Sequence, residues 1–308
     1  MLDSIYGAVA LGLLYALMAL GVYITFRILD FPDLTVDGSF ATGGAIAAVM
    51  ISNGYSPLLA TLSAFAGGLL AGACTGLLHT KGKINGLLAG ILMMIALYSI
   101  NIRIMGKPNV SLVNMDTLIS GIMKPIGVFI LVMGIAVLAI KLLLDAFLHT
   151  DLGLALRATG DNERMIRSFG ANTDGTKILG VSLSNGLVAV SGALIAQQGG
   201  FADVTMGVGM IVIGLASVII GEAIFGARTV FIATLAVVFG SIIYRIVIAL
   251  ALRVELFKAS DLKLVTALIV IVALVVPYVQ RRAKQRSVAR KRSAELLAAI
   301  TTVKGGKS

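Results

Sequence analysis

Long apolar runs separated by short polar loops dominate the chain. About 20 helical residues are needed to span a bilayer core of about 30 Å. Seven runs reach or approach that length: Ser4–Phe26, Pro57–His79, Gly86–Ile104, Ile126–Leu144, Lys177–Gln197, Thr229–Leu252 and Leu262–Gln280. Two further runs, Ser39–Ser52 and Gly207–Phe225, are short or interrupted by glycine. The runs lack the alternating pattern of barrel strands, so all nine are predicted to be helices.

The composition agrees with a membrane protein. Of the 308 residues, 58% are hydrophobic and 13% are charged, and the mean hydropathy is +1.00. Soluble domains have about 45–50% apolar and about 25% charged residues. The composition therefore excludes a soluble enzyme, a disordered protein and a nucleic-acid-binding domain. With one cysteine and two histidines, we expect no structural metal site. The prediction is an all-α polytopic membrane protein with about nine transmembrane or half-membrane helices.

The positive charges indicate an orientation. If the N-terminus is outside and all nine runs cross, 18 Lys and Arg residues lie inside, including Lys141 and nine residues beyond Gln280, against six outside. Cytoplasmic loops carry the excess of Lys and Arg. The pattern therefore predicts an outside N-terminus and a cytoplasmic C-terminus, provided that Ser39–Ser52 spans the bilayer and is not re-entrant.

Two segments 170 residues apart have similar sequences. Phe31–Val36 (FPDLTV) corresponds to Phe201–Met206 (FADVTM), and the preceding Ala16–Leu20 corresponds to Gly186–Val190. In the predicted topology the two copies run in opposite directions, so they form an inverted repeat. Inverted repeats with short, interrupted helices at matching positions are typical of transporters.

The Asp and Thr of each copy precede a short helix. Asp33 and Thr35 lie before the first, and Asp203 and Thr205 lie before the second. Their oxygen atoms are suited to capping free backbone N–H groups at a helix start. They are candidates for the transport pathway, and ordinary helix capping is the simpler alternative for each.

A polar loop between the two halves, residues 148–176, has helix signals of its own. Gly160 is expected to break it, Asp161 or Asn162 to cap a short helix, and Gly170 to follow the end of that helix. Met165, Ile166 and Phe169 share one face of this helix. A helix this short is not stable alone, so it needs a docking surface, on its own bundle or on a partner protein.

This loop makes the chain recognisable. Its segments Leu156–Asn162 (LRATGDN), Met165–Arg167 (MIR) and Asn172–Asp174 (NTD) resemble the coupling loop of ATP-binding-cassette (ABC) importer permeases. The branched-chain amino acid permease family is the most similar. Within it, the chain resembles a less characterised branch linked to uptake of amino acids, including aromatic ones. Phe31–Ser39, Leu87–Tyr98 and Gly209–Gly226 also resemble that branch, and the resemblance covers about residues 5–280.

The resemblance implies a permease subunit, not an enzyme, in the plasma or inner membrane. A cytoplasmic ATPase subunit would bind ATP and Mg²⁺, an extracytoplasmic binding protein would deliver the substrate, and two permease subunits, expected as a homodimer, would line one pathway. The predicted substrate is a small solute, most simply an amino acid. The residues implied to contact the ATPase are Arg157, Gly160, Asp161, Asn162, Glu163, Arg164, Met165, Ile166, Arg167 and Gly170.

Five further polar residues within the apolar runs are pathway candidates. Tyr98 and Asn101 lie at the outer end of the fourth run, where they either contact substrate or mark the interface. Asn185 is expected to bond a neighbouring helix. Arg245 either lines the pathway, with Glu222 as a possible partner, or extends to the outer interface. Glu222 is otherwise expected to be solvated or paired with Arg228.

The predicted organisation is a membrane domain, residues 1–280, and a basic cytoplasmic tail, residues 281–308. The halves of the repeat are residues 4–147 and 177–280, joined by the coupling loop. The basic tail is predicted to anchor the chain at anionic lipid headgroups, and docking to a partner is the alternative. An ion-coupled secondary transporter is the alternative function. Such a transporter requires carboxylates inside the membrane, and Glu222 is the only acidic residue of the apolar runs that is predicted to lie near such a position.

Overall fold

The architecture is almost entirely helical. We describe a computed structural model at residues 2–121 and 125–251 and at five single positions between 264 and 275. The described helices are α1 (Leu2–Val22), α2 (Thr35–Ser52), α3 (Pro57–Thr80), α4 (Gly86–Met105), α5 (Ile126–Leu148), α6 (Asp151–Ser168), α7 (Thr173–Gly199), α8 (Met210–Phe225) and α9 (Val230–Ala251). A π-helix, Tyr23–Ile28, continues α1. Two short strands, β1 (Asn109–Ser111) and β2 (Phe201–Asp203), pair antiparallel.

Seven of these helices are long and apolar enough to cross a membrane: α1 with its π-helical end, α2, α3, α4, α5, α7 and α9. The predicted all-α polytopic fold is confirmed. The second apolar run is longer than predicted, because α2 begins four residues earlier, at Thr35. The run before Phe225 is a short helix as predicted. The ninth run falls outside the described residues except at the five single positions, and the tail, residues 281–308, lies wholly outside them.

Helices α1 and α7 form the centre of the bundle. Most of their residues are buried, and serine hydroxyls join them through backbone carbonyls. Ser184 donates to the carbonyl of Gly21 at 2.7 Å, and Ser191 donates to that of Leu14 at 2.8 Å. In lipid, such short polar side chains satisfy themselves on a neighbouring helix.

Glycine lets the α3 and α7 backbones approach closely. A Cβ atom on Gly68 or Gly72 would overlap carbonyl groups of α7, and one on Gly76 would collide with Ile178. This stripe, repeating every four residues, packs α3 against α7 within one chain. Small residues at such spacing are typical of close helix crossings in membranes.

A buried ion pair joins α5 to α9. Lys141 and Asp145 are one helical turn apart and both buried, and Lys141 Nζ lies 3.2 Å from the centre of the Phe231 ring. Thr234 donates to Asp145 Oδ1 at 2.7 Å. Lys141, which the charge count placed on the inner side, is therefore not a solvated charge. Helix α5 continues to Leu148, and the lysine is neutralised inside the protein.

We expect that Lys141→Met lowers the free energy of unfolding by about 3–5 kcal/mol, because it leaves Asp145 charged, buried and unpaired. The double variant Lys141→Met/Asp145→Leu should lose much less, since it removes both charges. The ranking of the two variants by stability is checked by thermal unfolding of the detergent-solubilised protein, monitored by circular dichroism. A double variant as unstable as the single one would contradict this account.

Candidate functional site

The starts of α2 and α8 meet inside the bundle. Asp37, in the first turn of α2, accepts the backbone N–H groups of Gly209 and Ile211, both at 2.8 Å. Gly207 packs so closely that a Cβ atom there would overlap the carbonyl of Asp37. A carboxylate at a helix N-terminus satisfies free N–H groups and favours the helix dipole. Thus a side chain of α2 caps α8.

The two Asp-x-Thr segments form the same local turn. The N–H of Thr35 donates to Asp33 Oδ1 at 2.9 Å, and the N–H of Thr205 donates to Asp203 Oδ1 at 2.7 Å. The first turn opens α2 as predicted. The second follows β2 and ends five residues before α8 begins, so the prediction that Asp203 and Thr205 cap the second short helix was wrong.

Asp33 is the centre of a buried polar network. Asn185 of α7 donates to Asp33 Oδ2 at 2.6 Å, and Ser39 donates to Asn185 Oδ1 at 2.6 Å. The hydroxyl groups of Thr35 and Thr75 form a hydrogen bond of 2.7 Å. The expectation that Asn185 bonds a neighbouring helix is confirmed, and its partners tie the interrupted segment to α7. We expected Glu222 to be the only carboxylate near the apolar interior. Asp33, Asp37 and Asp145 also lie within the bundle, so that expectation was wrong.

A cavity of about 260 Å³ lies beside this junction. Its walls are α2 from Asp37 to Ala41, α4 from Met94 to Asn101, and the turn that precedes α8. Gly38 lies against Met94 and Leu97, so the junction is near the middle of α4. The predicted candidates Tyr98 and Asn101 both line the cavity. Asn185 is not among the residues that line it.

A second cavity, of about 240 Å³ and with a polar lining, lies between the π-helical end of α1, α6 and the α8–α9 turn. There Arg27 Nε lies 2.8 Å from Glu222 Oε1. Arg157, Asp161 and Arg228 line the same cavity. Glu222 is therefore paired with Arg27, and the expected pairing with Arg228 was wrong. The sequence offered one signal for Arg27, its position at the end of the first apolar run.

Arg245 lies on α9 away from Glu222. Its guanidinium carbon is 3.6 Å from the centre of the Tyr15 ring on α1. Partnership with Glu222, one of the interpretations of the sequence, is therefore wrong. A cation over an aromatic face is stabilised by the ring quadrupole. Arg245 thus joins α1 to α9, and it lines neither of the two cavities described above.

Helix α6 has a kink where the coupling helix was predicted to start. Asn162 has non-helical backbone angles (φ −157°, ψ 88°), and its side chain accepts the N–H of Met165 at 3.0 Å. Gly170 follows the helix with φ +83°, a left-handed conformation suited to glycine. The predicted cap at Asn162 and terminator at Gly170 are confirmed.

Gly160 does not break the helix. It lies within α6, and a Cβ atom there would overlap the carbonyl of Ile28 at the end of the π-helix. Its role is close packing of α6 against the end of α1. The prediction that Gly160 interrupts the segment was wrong, and the interruption lies two residues later.

Ion pairs attach the distal half of α6 to α7. Glu163 Oε2 lies 2.8 Å from Lys177 Nζ, and Arg167 lies 2.9 Å from Asp174. The bond to Lys177 lowers the pKa of Glu163. Arg164 is exposed and Ile166 is half-buried. The apolar side chains of Met165 and Phe169 are 49% and 79% exposed. The outward face of this half is therefore apolar and uncovered.

The chain matches one protein family over most of its length. Residues 4–275 match the branched-chain amino acid transport system permease component. A tyrosine transport system permease protein of Clostridioides difficile (strain R20291) is 47% identical over 271 residues, which cover 88% of this chain and 90% of that protein. A ribose import permease of Escherichia coli (strain K12) is 32% identical over 183 residues, 58% of this chain and 56% of that protein.

The chain therefore belongs to this permease family. It is a multi-pass membrane protein and the permease subunit of an ABC transport system. Two solved structures align along most of its length: PsaBC from Streptococcus pneumoniae in complex with Fab (14% identity, TM-score 0.48, 88% of this chain and 89% of that one) and a metal-chelate type ABC transporter in an inward-facing conformation (17% identity, TM-score 0.49, 91% and 85%).

We expect that Asp37→Leu destabilises the start of α8, because the backbone N–H groups of Gly209 and Ile211 lose their carboxylate partner. Loss of a cap costs about 0.5–2 kcal/mol. Hydrogen–deuterium exchange should become faster in the peptide that contains residues 209–213. The matched control Asp203→Leu removes a carboxylate that does not contact α8, and it should leave exchange in that peptide unchanged. Equal effects of the two variants would contradict the assignment of the cap.

Proposed function

We propose that the chain forms the translocation pathway of an importer for an amino acid, driven by a separate ATPase subunit that binds ATP and Mg²⁺. The family match and the 47% identical tyrosine permease support this substrate class. An extracytoplasmic binding protein would deliver the substrate, and two copies of the chain would line the pathway. The topology that we propose has the N-terminus outside, and residues 4–147 and 177–280 are the inverted halves.

The observation that carries the proposal is the exposed apolar face of α6. Met165 and Phe169 project from a kinked helix whose other side is held to α7 by Glu163 and Arg167. Apolar patches rimmed by charge mark protein–protein contacts. A helix that is anchored on one side and exposed on the other is suited to receive a push from a partner.

The first half of α6 offers a route from that partner to the bundle. Gly160 packs against Ile28 at the end of the π-helix, and Arg157 and Asp161 line the cavity that holds the Arg27–Glu222 pair. Movement of α6 would therefore displace the end of α1 relative to α8. We propose that this pair closes the cytoplasmic side and opens when the ATPase moves α6, so that the open side of the pathway changes.

Co-purification tests the coupling surface. A tagged permease, expressed in the cells from which it comes and extracted in mild detergent, should recover an ATPase subunit. Met165→Glu and Phe169→Glu should each reduce that recovery at least fivefold, because a charge would be buried in an apolar contact. Val113→Glu is the matched control, since Val113 is equally exposed but follows β1 on a different loop. Partnerless protein that moves substrate along an ion gradient would instead support the secondary transporter.

The ion pair gives a separate prediction. The Arg27 side chain is 57% exposed, and ion pairs open to solvent contribute about 0–1 kcal/mol. Glu222→Gln should therefore shift the equilibrium between the closed and open cytoplasmic side only a few-fold, and it should raise the substrate-independent ATPase activity of the complex. The exchange Arg27→Glu/Glu222→Arg should restore coupling, and Arg228→Gln should change nothing. Unaltered coupling in Glu222→Gln, measured as ATP hydrolysed per substrate imported in proteoliposomes, would contradict the gate.

A further inference from the structure

The cavity at the junction of α2, α4 and the α8 turn has the chemistry of a binding site. Most of its wall is apolar, and it includes Met94, Ile95, Val204 and Val208. Pockets for small molecules are typically apolar with a few polar groups that fix orientation. We infer that this cavity binds a zwitterionic amino acid with a large apolar or aromatic side chain, so that the permease itself selects its substrate. This inference rests on the proposed function and names a recognition site within it.

Asn101 is the strongest indication of a ligand. It is 1% exposed and lines the cavity, yet neither its amide nitrogen nor its carbonyl oxygen has a hydrogen-bond partner among the described residues. An unpaired buried polar group costs about 1–3 kcal/mol. A ligand that carries both a donor and an acceptor would satisfy the two atoms together. An α-amino acid has such a pair in its ammonium and carboxylate groups.

Asp37 fixes the charge that the cavity prefers. Its carboxylate accepts N–H groups from the start of α8, and Asp37 is one of the residues that line the cavity. A carboxylate has about four acceptor positions, so the cap leaves capacity for a further donor. The ammonium group of an amino acid would donate to Asp37 and to Asn101 Oδ1, and the Asn101 amide nitrogen would donate to its carboxylate. An anionic side chain would meet both an apolar wall and the charge of Asp37, which disfavours acidic amino acids.

The apolar wall selects the side chain. Met94 and Ile95 of α4 face Val204 and Val208 of the turn before α8, and together they form an uncharged slot next to the polar end. Each buried CH₂ contributes about 0.8 kcal/mol. Tyrosine or leucine should therefore bind more tightly than alanine or glycine. Tyr98, at the rim, offers a phenolic hydroxyl for a polar substituent on the substrate.

Direct binding tests the inference. The permease is purified with its ATPase subunit in nanodiscs, without the binding protein, and equilibrium binding of radiolabelled L-tyrosine, L-leucine and L-glutamate is measured. We expect saturable binding of tyrosine and leucine and none of glutamate. Asn101→Leu should weaken tyrosine binding at least tenfold, and it should fold, because it replaces an unpaired amide by an apolar group of similar size. Asn53→Leu, an exposed asparagine at the end of α2, is the matched control.

A second variant tests the same cavity independently if Asn101→Leu fails to fold. Val208→Trp fills the slot from a surface turn, and it should abolish tyrosine binding while direct binding of radiolabelled L-alanine stays as weak or as strong as in the unmodified complex. The inference is overturned if the unmodified complex binds no amino acid saturably, if glutamate binds as well as tyrosine, or if both variants bind tyrosine like the control.

Transport assays separate this inference from the proposed function. The complete system, with binding protein and ATP in proteoliposomes, is supplied with the same amino acids. If no amino acid is imported although ATP is hydrolysed, the proposed substrate class is wrong, and the inference falls with it. If amino acids are imported but Asn101→Leu and Val208→Trp leave the tyrosine-to-alanine import ratio unchanged, only the inference about the cavity is wrong.

Discussion

The structure depends on how interrupted helices satisfy their backbone inside a membrane. A helix that begins within the bilayer exposes N–H groups that neither lipid nor water can pair. In this chain two carboxylates supply the missing acceptors: Asp33 at the start of α2 and Asp37 at the start of α8. Because Asp37 belongs to α2, the two helix starts are joined. The cavity beside them is a consequence of this junction.

The same junction is connected to α6 through α7. Asp33 is held by Asn185 of α7, and the distal half of α6 is held to the beginning of α7 by Lys177 and Asp174. The other contact of α6, at Gly160, is with the end of α1. A displacement of α6 therefore acts on two helices that border the interrupted segments. This arrangement agrees with a permease that a partner subunit drives.

Local signals in the sequence predicted what depends on neighbouring residues. The apolar runs, the cap at Asn162 and the terminator at Gly170 follow from periodicity and helix-end chemistry, and the structure has them. Contacts between distant positions were missed. Asp37 and Gly209 are 172 residues apart, and Arg27 and Glu222 are 195 apart, so no local pattern joins them. The pairing of Lys141 with Asp145 was also missed, because Asp145 lay one residue beyond the predicted end of the run at Leu144.

Accessibility at the junction tests the central claim, that the meeting point of α2 and α8 lies on the pathway, most directly. Cysteine is introduced at Val208 in a Cys74→Ser background, and its reaction with a membrane-impermeant maleimide is measured in proteoliposomes with and without transported amino acid. Leu62→Cys, on the exposed face of α3, is the comparison. The account predicts that Cys at 208 reacts and that substrate protects it, while Cys at 62 does not react. No reaction at 208 from either side of the membrane would contradict the account.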